Sequence, residues 1–414
     1  MSNNIPSVNP NKVNVNGPVN VVRLEGDVDN IKKVIYLFLD YHIDVRFQTQ
    51  CKNVFSDDIQ KYFINSFYEL GSKDKIYDFF VEIYPSELSN RKFRSKDYKE
   101  KYIEEVVKFF RKIFKYDSKK NKVMVNKFFK NIRLHYIDIR DYYKLSIHSK
   151  MMQMNNIAHK FMTTDRIDTL SLDKIIKLME EMREHLQLII NILTKDPQKV
   201  SREKIIKERF DADLDLNVIK YLAKKIKTSY KHPDVKKIMN NFIMDSVNNF
   251  KATIKFIAES RQIFIDYGDR IDQSEGKLVP DDNTSYIYSY GLSTYTIRYM
   301  IVDIVNRVEK LFEENFVEFF ARFTDIYFLR RFLDKDYITN VVAYTGALHS
   351  ITYIHVLINY FGFKITHASY TQISDLKKLN SEIRKKSQMD IQPFVLPETL
   401  EQCSDMTKFP SNFL

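Results

Sequence analysis

Three short stretches are almost continuously apolar and rich in β-branched or aromatic residues: "KKVIYLFLDYH" (Lys32 to His42), "KIYDFFVEIYP" (Lys75 to Pro85) and "NIRLHYIDIRD" (Asn131 to Asp141). Polar residues follow each one, the pattern of strands covered on both faces. Between them the period lengthens to that of amphipathic helices. "SDDIQKYFINSFYEL" opens near Ser56, a capping residue type, and sets Ile59, Phe63 and Phe67 on one face. "SKDYKEKYIEEVVKFFRKIF" does the same from Ser95, with Tyr98, Ile103, Val106 and Phe110. Alternating strands and helices predict an α/β fold with right-handed crossovers.

From about Asp141 to Asn315 only helical periodicity remains. "SLDKIIKLMEEMREHLQLIINIL" has Ser171 as a cap and an apolar face of Ile175, Leu178, Met179, Met182, Leu186 and Ile189. A second long helical stretch runs to Gly268, a stop residue. Strand patterns then return in "NVVAYTG" (Asn340 to Gly346) and "FKITHASY" (Phe363 to Tyr370). The expected class is α/β, a mostly parallel sheet with flanking helices and a large all-helical insertion. Residues 1–30 read as an N-terminal arm, flexible or docked, and 31–140 as the first part of the α/β domain. The insertion covers 141–320, the last part of the α/β domain 321–375, and an extended tail without its own core 376–414.

The segment from Tyr337 to Phe363 contains no Asp, Glu, Lys or Arg. It is a poor membrane span, because His349, His355, Asn340 and Asn359 would all be costly in hydrocarbon. It also changes period, from strand to helix across Gly346, and Gly362 ends the helix. A buried strand, turn and helix is the expected structure, with no transmembrane segment.

Charge changes this picture little. The formal net charge is +11 over 414 residues, with 26 Tyr, 31 Phe, 8 Gly and no Trp. A nucleic-acid partner calls for a clustered basic patch, and here Lys and Arg are scattered among carboxylates. The abundance of Lys, Asn and Ile is what an AT-rich genome produces. Cys51 and Cys403 are too distant in sequence for a metal knuckle and make no disulfide framework, which implies a reducing compartment. The N-terminus has no basic start followed by an apolar run, so no secretory signal is read there.

The predicted strands end alike. Asp40 and His42 follow the first; Asp138, Arg140 and Asp141 follow the third; His349 follows "NVVAYTG". Parallel neighbours would bring these groups to one sheet edge, where open α/β sheets bind ligands. His42, His349, Asp40 and Asp138 are the candidate catalytic groups, acting as base, acid or orienter. His42, His349 and Asp40 also make a candidate ligand set for a divalent metal. Arg140, Arg331 and Asp141 are candidate substrate-binding residues. His135 alternates within its strand and reads as a packed core histidine. Met151, Met152 and Met154 read as packing.

"IYLFLDYHIDVRFQTQC", "NIRLHYIDIRDYY" and "TDIYFLRRFL…NVVAYTGALHSITYIHVLINYFGF" resemble, in that order, proteins of giant DNA viruses of the mimivirus kind. That resemblance implies a host-cytoplasm (virus factory) location, packaging in the virion, and other viral proteins as partners through the terminal arms. More distantly, "GALH", with Gly346 and His349, resembles the second Gly-x-x-His motif of Tiki/TraB and erythromycin-esterase-like hydrolases. "LDYH" resembles the first motif, with Leu39 in place of Gly. Arg331 precedes the second motif, as an Arg often does in that group. The resemblance implies a hydrolase-like α/β domain. Leu39 and the terminal arms motivate the alternative, a non-enzymatic virion or virus-factory interaction protein with a degenerate site.

Overall fold

The computed structural model describes residues 12–43, 50–71, 74–83, 102–117, 122–124, 126–138, 146–164, 167–195, 214–269, 294–399 and 401–413. The chain divides into two compact units, one of residues 1–141 with 324–414, the other of residues 142–323.

The first unit is built on strands β1 (Asn14–Asn16), β2 (Asn20–Val28), β3 (Ile31–Asp40), β4 (Asp57–Asp58), β5 (Tyr77–Val81), β6 (Tyr116–Asp117), β7 (Lys122–Val123), β8 (Ile132–Tyr136), β9 (Asn340–Gly346), β10 (Lys364–Ala368) and β11 (Cys403–Asp405). Six of them form one sheet in the order β10-β2-β3-β9-β5-β8. β3, β9, β5 and β8 are parallel, and β2 runs antiparallel between β10 and β3. The fold class is α/β.

Alternation along the strands gives the sheet two apolar faces. Helices α1 (Ile59–Leu70) and α2 (Tyr102–Ile113) cover one of them. Phe63 and Phe67 of α1 and Phe110 of α2 pack with Phe38, Phe79 and Tyr344 in a single aromatic core. On the other face Phe80 meets Phe328 at 5.1 Å, and Phe328 meets Tyr353 at 4.4 Å.

The second unit holds α3 (Ser146–Lys160), α4 (Thr169–Thr194), α5 (Leu214–Lys227), α6 (Pro233–Gly268) and the greater part of α7 (Thr294–Asp334). The whole predicted face of α4 from Ile175 to Ile189 is buried, and Asp168 rather than Ser171 caps the helix by accepting from Leu170 N. Phe250 of α6 packs on Phe316 and Phe319 of α7 at 5.1 and 4.9 Å. Met151 and Met154 are buried, whereas Met152 is exposed.

The charge-free window is β9 followed by α8 (Ala347–Phe361), ended by Gly362 in the left-handed region at φ 67°. β10 follows directly. Among the described residues no helix is long and apolar enough to cross a membrane.

Three expectations are corrected. Residues 14–28 are not an arm: β2 is hydrogen-bonded on both sides, and Val21, Val22 and Leu24 are fully buried. Charge in "NVVRLEGDV" disguises this strand, because Arg23 is buried and donates to Tyr36 Oη at 2.9 Å and Thr366 Oγ1 at 2.7 Å. The segment after Asp375 is not an extended tail either. It forms α9 (Leu376–Ile383), α10 (Gln392–Val395) and β11, which pairs with β1, and Phe413 sits 5.0 Å from Tyr36 in the aromatic core. Finally, Cys51 and Cys403 form a disulfide. A separation of 352 residues said nothing about distance in a fold that brings β11 beside β1.

Candidate functional site

The parallel register fixes which groups emerge together. Asp40, the last residue of β3, lies opposite Gly346, the last of β9, and Val81 of β5 lies opposite Tyr344. Glu82, just beyond β5, donates its backbone N–H to the Tyr344 carbonyl at 3.2 Å. α8 starts immediately after Gly346, so His349 falls in its first turn.

These neighbours form a connected set. His349 is buried with a carboxylate on each ring nitrogen, Nδ1 2.6 Å from Asp325 Oδ1 and Nε2 3.2 Å from Glu82 Oε1. Glu82 Oε2 accepts the Gly346 backbone N–H at 2.7 Å. Asp40 Oδ1 accepts from Tyr344 Oη at 3.2 Å, and Oδ2 accepts from the His42 backbone N–H at 3.0 Å. The His42 ring turns back so that Nε2 lies 3.5 Å from Asp40 Oδ2, with His42 at φ 53°. That left-handed conformation is unusual for a residue other than glycine, though histidine tolerates it better than most. A Cβ on Gly346 would lie 3.2 Å from His42 Cε1 and 3.3 Å from Glu82 Oε2. Glycine therefore leaves room for the imidazole and the carboxylate to share one space above the sheet edge.

Burial and charge set the protonation states. Burial opposes charge on His349, but Asp325 and Glu82 outweigh it and raise its pKa to about 10. The ring is an imidazolium donating to two carboxylates. Asp40 is instead pushed toward its neutral form: burial raises its pKa against the lowering effects of His42 and Tyr344. Of the set, His42 is the most accessible, its side chain 30% exposed against 2% for Glu82 and 1% for Asp40. Its Nε2 is nevertheless buried and makes no hydrogen bond among the described residues.

The proposed metal ligands do not assemble as a coordination shell. A metal needs an unprotonated ring nitrogen, and both nitrogens of His349 are committed to carboxylates. Among the described residues no group of three or more His, Cys, Asp or Glu is placed to hold a metal ion. His42, Asp40 and His349 do come to one edge, as the strand ends require.

The other candidates fare differently. Asp138 is half-buried two residues beyond β8, the outermost strand, one strand further out than Glu82. Arg140 and Asp141 lie outside the described residues. Arg331 joins a different group: it donates to His135 Nδ1 at 3.1 Å and Tyr327 Oη at 3.1 Å. His135 also reaches Asp78 Oδ1 at 2.6 Å and stacks on Phe80 at 4.5 Å. Arg133 forks onto the same Asp78, at 2.8 and 2.5 Å. Glu82 and Asp325 were missed. Glu82 was legible, since it follows "DFFV" as Asp40 follows "YLFL". Asp325 stands mid-helix, and no local pattern marks it.

Residues 13–414 match DUF5847, a family of unknown function. The chain belongs to this family. DUF5847 relatives come from Acanthamoeba polyphaga mimivirus. Uncharacterized protein R706 is 57% identical over 419 residues, covering 100% of both chains. Uncharacterized protein R161 is 34% identical over 98% of this chain and 99% of its own. Uncharacterized protein R160 is 34% identical over 97% of each. No solved structure matches this DUF5847 chain.

Proposed function

We propose that this DUF5847 protein is a hydrolase that activates water without a metal at the Asp40–His42–Glu82–His349 edge. The observation that carries the reading is that the His42 ring and the Glu82 carboxylate both border the space above Gly346, 3.2 and 3.3 Å from where a Cβ there would lie, with Asp40 Oδ2 3.5 Å from the ring's Nε2. A water between His42 and Glu82 gives its proton to the imidazole as it attacks the substrate. Asp40 orients the ring, and the His349 imidazolium holds Glu82 ionised and in place. The two histidines are those of the "LDYH" and "GALH" motifs, so the distant likeness to Tiki/TraB and erythromycin-esterase-like hydrolases supports the same reading.

The test is turnover of a panel of chromogenic carboxylic and phosphoric esters by purified protein treated with chelator. Hydrolysis that survives chelation and falls at least a hundredfold in folded His42→Ala and Glu82→Gln supports the reading. No turnover on the panel, or equal turnover by wild type and His42→Ala, overturns it.

A second reading is favoured by one observation, the Cys51–Cys403 disulfide. Disulfides persist on virion surfaces and are rare in a reducing cytosol. On this reading the protein is made in the host cytoplasm, at the virus factory, and packaged in the particle. Its terminal segments hold the fold together, so contacts with other viral proteins use other surfaces. Mass spectrometry of purified particles tests it; absence of the chain from them would sink it.

A further inference from the structure

His349 holds more carboxylate than an imidazolium needs. One carboxylate balances its charge; the second leaves the buried group of Asp325, Glu82 and His349 with a net negative charge, which burial penalises. Asp325 is also only 4% exposed within α7, where an apolar residue would favour both the helix and its packing. The two contacts differ. Asp325 Oδ1 lies 2.6 Å from Nδ1, whereas Glu82 Oε1 lies 3.2 Å from Nε2 and its other oxygen turns to the Gly346 N–H at the strand edge. The same three elements carry an aromatic trio one step further from that edge. Phe328 follows Asp325 by three residues on α7, Tyr353 follows His349 by four on α8, and Phe80 precedes Glu82 by two at the end of β5. Each spacing keeps its pair on one face of the element. Phe328 meets Tyr353 at 4.4 Å and Phe80 at 5.1 Å, and all three rings are fully buried. The polar trio rests on this dry aromatic base.

We propose that Asp325 is a positioning residue of the strand-edge site: it anchors the His349 ring from α7, and the anchored ring holds the Glu82 carboxylate ionised and aimed at the space above Gly346. Asp325 acts through His349 and not on the reacting atoms. The effect on activity rests on the hydrolase reading; the anchoring of the ring does not. Facing the ring are Asp325 from α7 and Glu82 from the end of β5. Tyr353 of its own helix lies 6.4 Å away, and His42, with Asp40 beside it, borders the same space above Gly346 as Glu82. With Asp325 in place two carboxylates hold the proton on the ring. Without it one remains, the ring gives up its proton more readily, and Glu82 then loses the cation that holds it.

The experiment compares full-length wild type with Asp325→Asn, which keeps the size and an acceptor for Nδ1, and Asp325→Glu, which keeps the charge. The His349 ring is titrated by NMR, and ester hydrolysis is measured from pH 7 to 9. In Asp325→Asn the ring is expected to lose its proton at a pH lower than in wild type by about one unit or more. Its kcat is expected to fall about fivefold between pH 7 and 9, while that of wild type stays level within about twofold. Asp325→Glu is expected to keep the ring protonated and the profile level. An unchanged His349 titration in Asp325→Asn overturns the anchor. A lowered titration with activity reduced equally at every pH, as a purely structural residue would give, overturns the positioning role. Should Asp325→Asn fail to fold, loss of the His349 proton below pH 9 in Asp325→Glu overturns the proposal. A lowered titration with no hydrolysis by wild type leaves the anchor standing and overturns the hydrolase reading instead.

Discussion

Gly346 donates its backbone N–H to Glu82 Oε2 at 2.7 Å, joining the ends of two neighbouring parallel strands. The same glycine is the floor on which His42 rests. Gly346 has φ −54° and ψ 145°, a conformation any residue adopts, so its identity matters for space and not for backbone freedom. Gly346→Ala is therefore expected to keep the fold, with a loss of about 1 kcal/mol. Its methyl would displace His42 or Glu82 by a few tenths of an ångström, and hydrolysis should fall at least tenfold. Gly26→Ala provides the contrast, because its Cβ would lie 2.4 Å from Phe363 in the core. It should lower the melting temperature clearly while leaving the site chemistry in the folded fraction intact.

His349 makes stability depend on pH at the alkaline end. Its folded pKa, about 10, lies above the 6.5 of an ordinary imidazole. The contribution is complete below the unfolded pKa and is lost as pH rises through the folded one. Its size is on the order of a few kcal/mol. Urea denaturation from pH 6.5 to 10.5 should show the decline, and His349→Gln should flatten it. Glu82→Gln removes one of the two carboxylates, so the ring should titrate lower by NMR. An unchanged His349 titration in that variant would refute the assigned contact.

Asp40 has the opposite tendency. Burial raises its carboxyl pKa, so its ionised form works against folding at neutral pH and the strain eases as pH falls through the folded pKa. Asparagine can accept the His42 N–H and donate to Tyr344 Oη in the same space. Asp40→Asn should therefore melt higher than wild type at pH 7, with the gap closing by pH 4. Hydrolysis should drop, because the ring loses its anionic partner. A lower melting temperature at pH 7 would contradict this account.

The sequence yielded the parallel strands because their apolar runs are local and unbroken. "NVVAYTG" coincides with β9 to the residue. β2 and the segment after Asp375 were hidden because long-range partners decide their burial. Arg23 looks like surface until Tyr36 and Thr366 are placed around it, and Phe413 has no periodic neighbours yet sits among Tyr36, Phe38 and Tyr62. The site was half legible for the same reason. Asp40, His42 and His349 follow strand patterns, and the rule that found them also reaches Glu82. Asp325 becomes visible only when α7 and α8 pack, since spacing along one helix cannot show which polar residue faces another.

The second polar group supplies a prediction of opposite sign to that for His349. His135 has a carboxylate on one ring nitrogen and a guanidinium on the other, so Nε2–H donates to Asp78 while Nδ1 accepts from Arg331. That arrangement needs the neutral ring. Burial lowers its pKa, with Arg331 and Arg133 helping and Asp78 opposing. With the folded pKa below the unfolded one, stability is complete above the unfolded value near 6.5 and is lost as pH falls past it. Gln in place of His135 keeps a donor for Asp78 and an acceptor for Arg331 without titrating. His135→Gln should thus flatten the acid limb of the stability profile and leave the alkaline limb, set by His349, unchanged. Asp78→Ala should lower stability by about 3 kcal/mol at pH 7, since it removes the carboxylate partner of both the Arg133 guanidinium and the His135 Nε2–H. If His135→Gln leaves the acid limb as steep as in wild type, the neutral assignment fails, and the proton on Nδ1 must be accommodated beside Arg331.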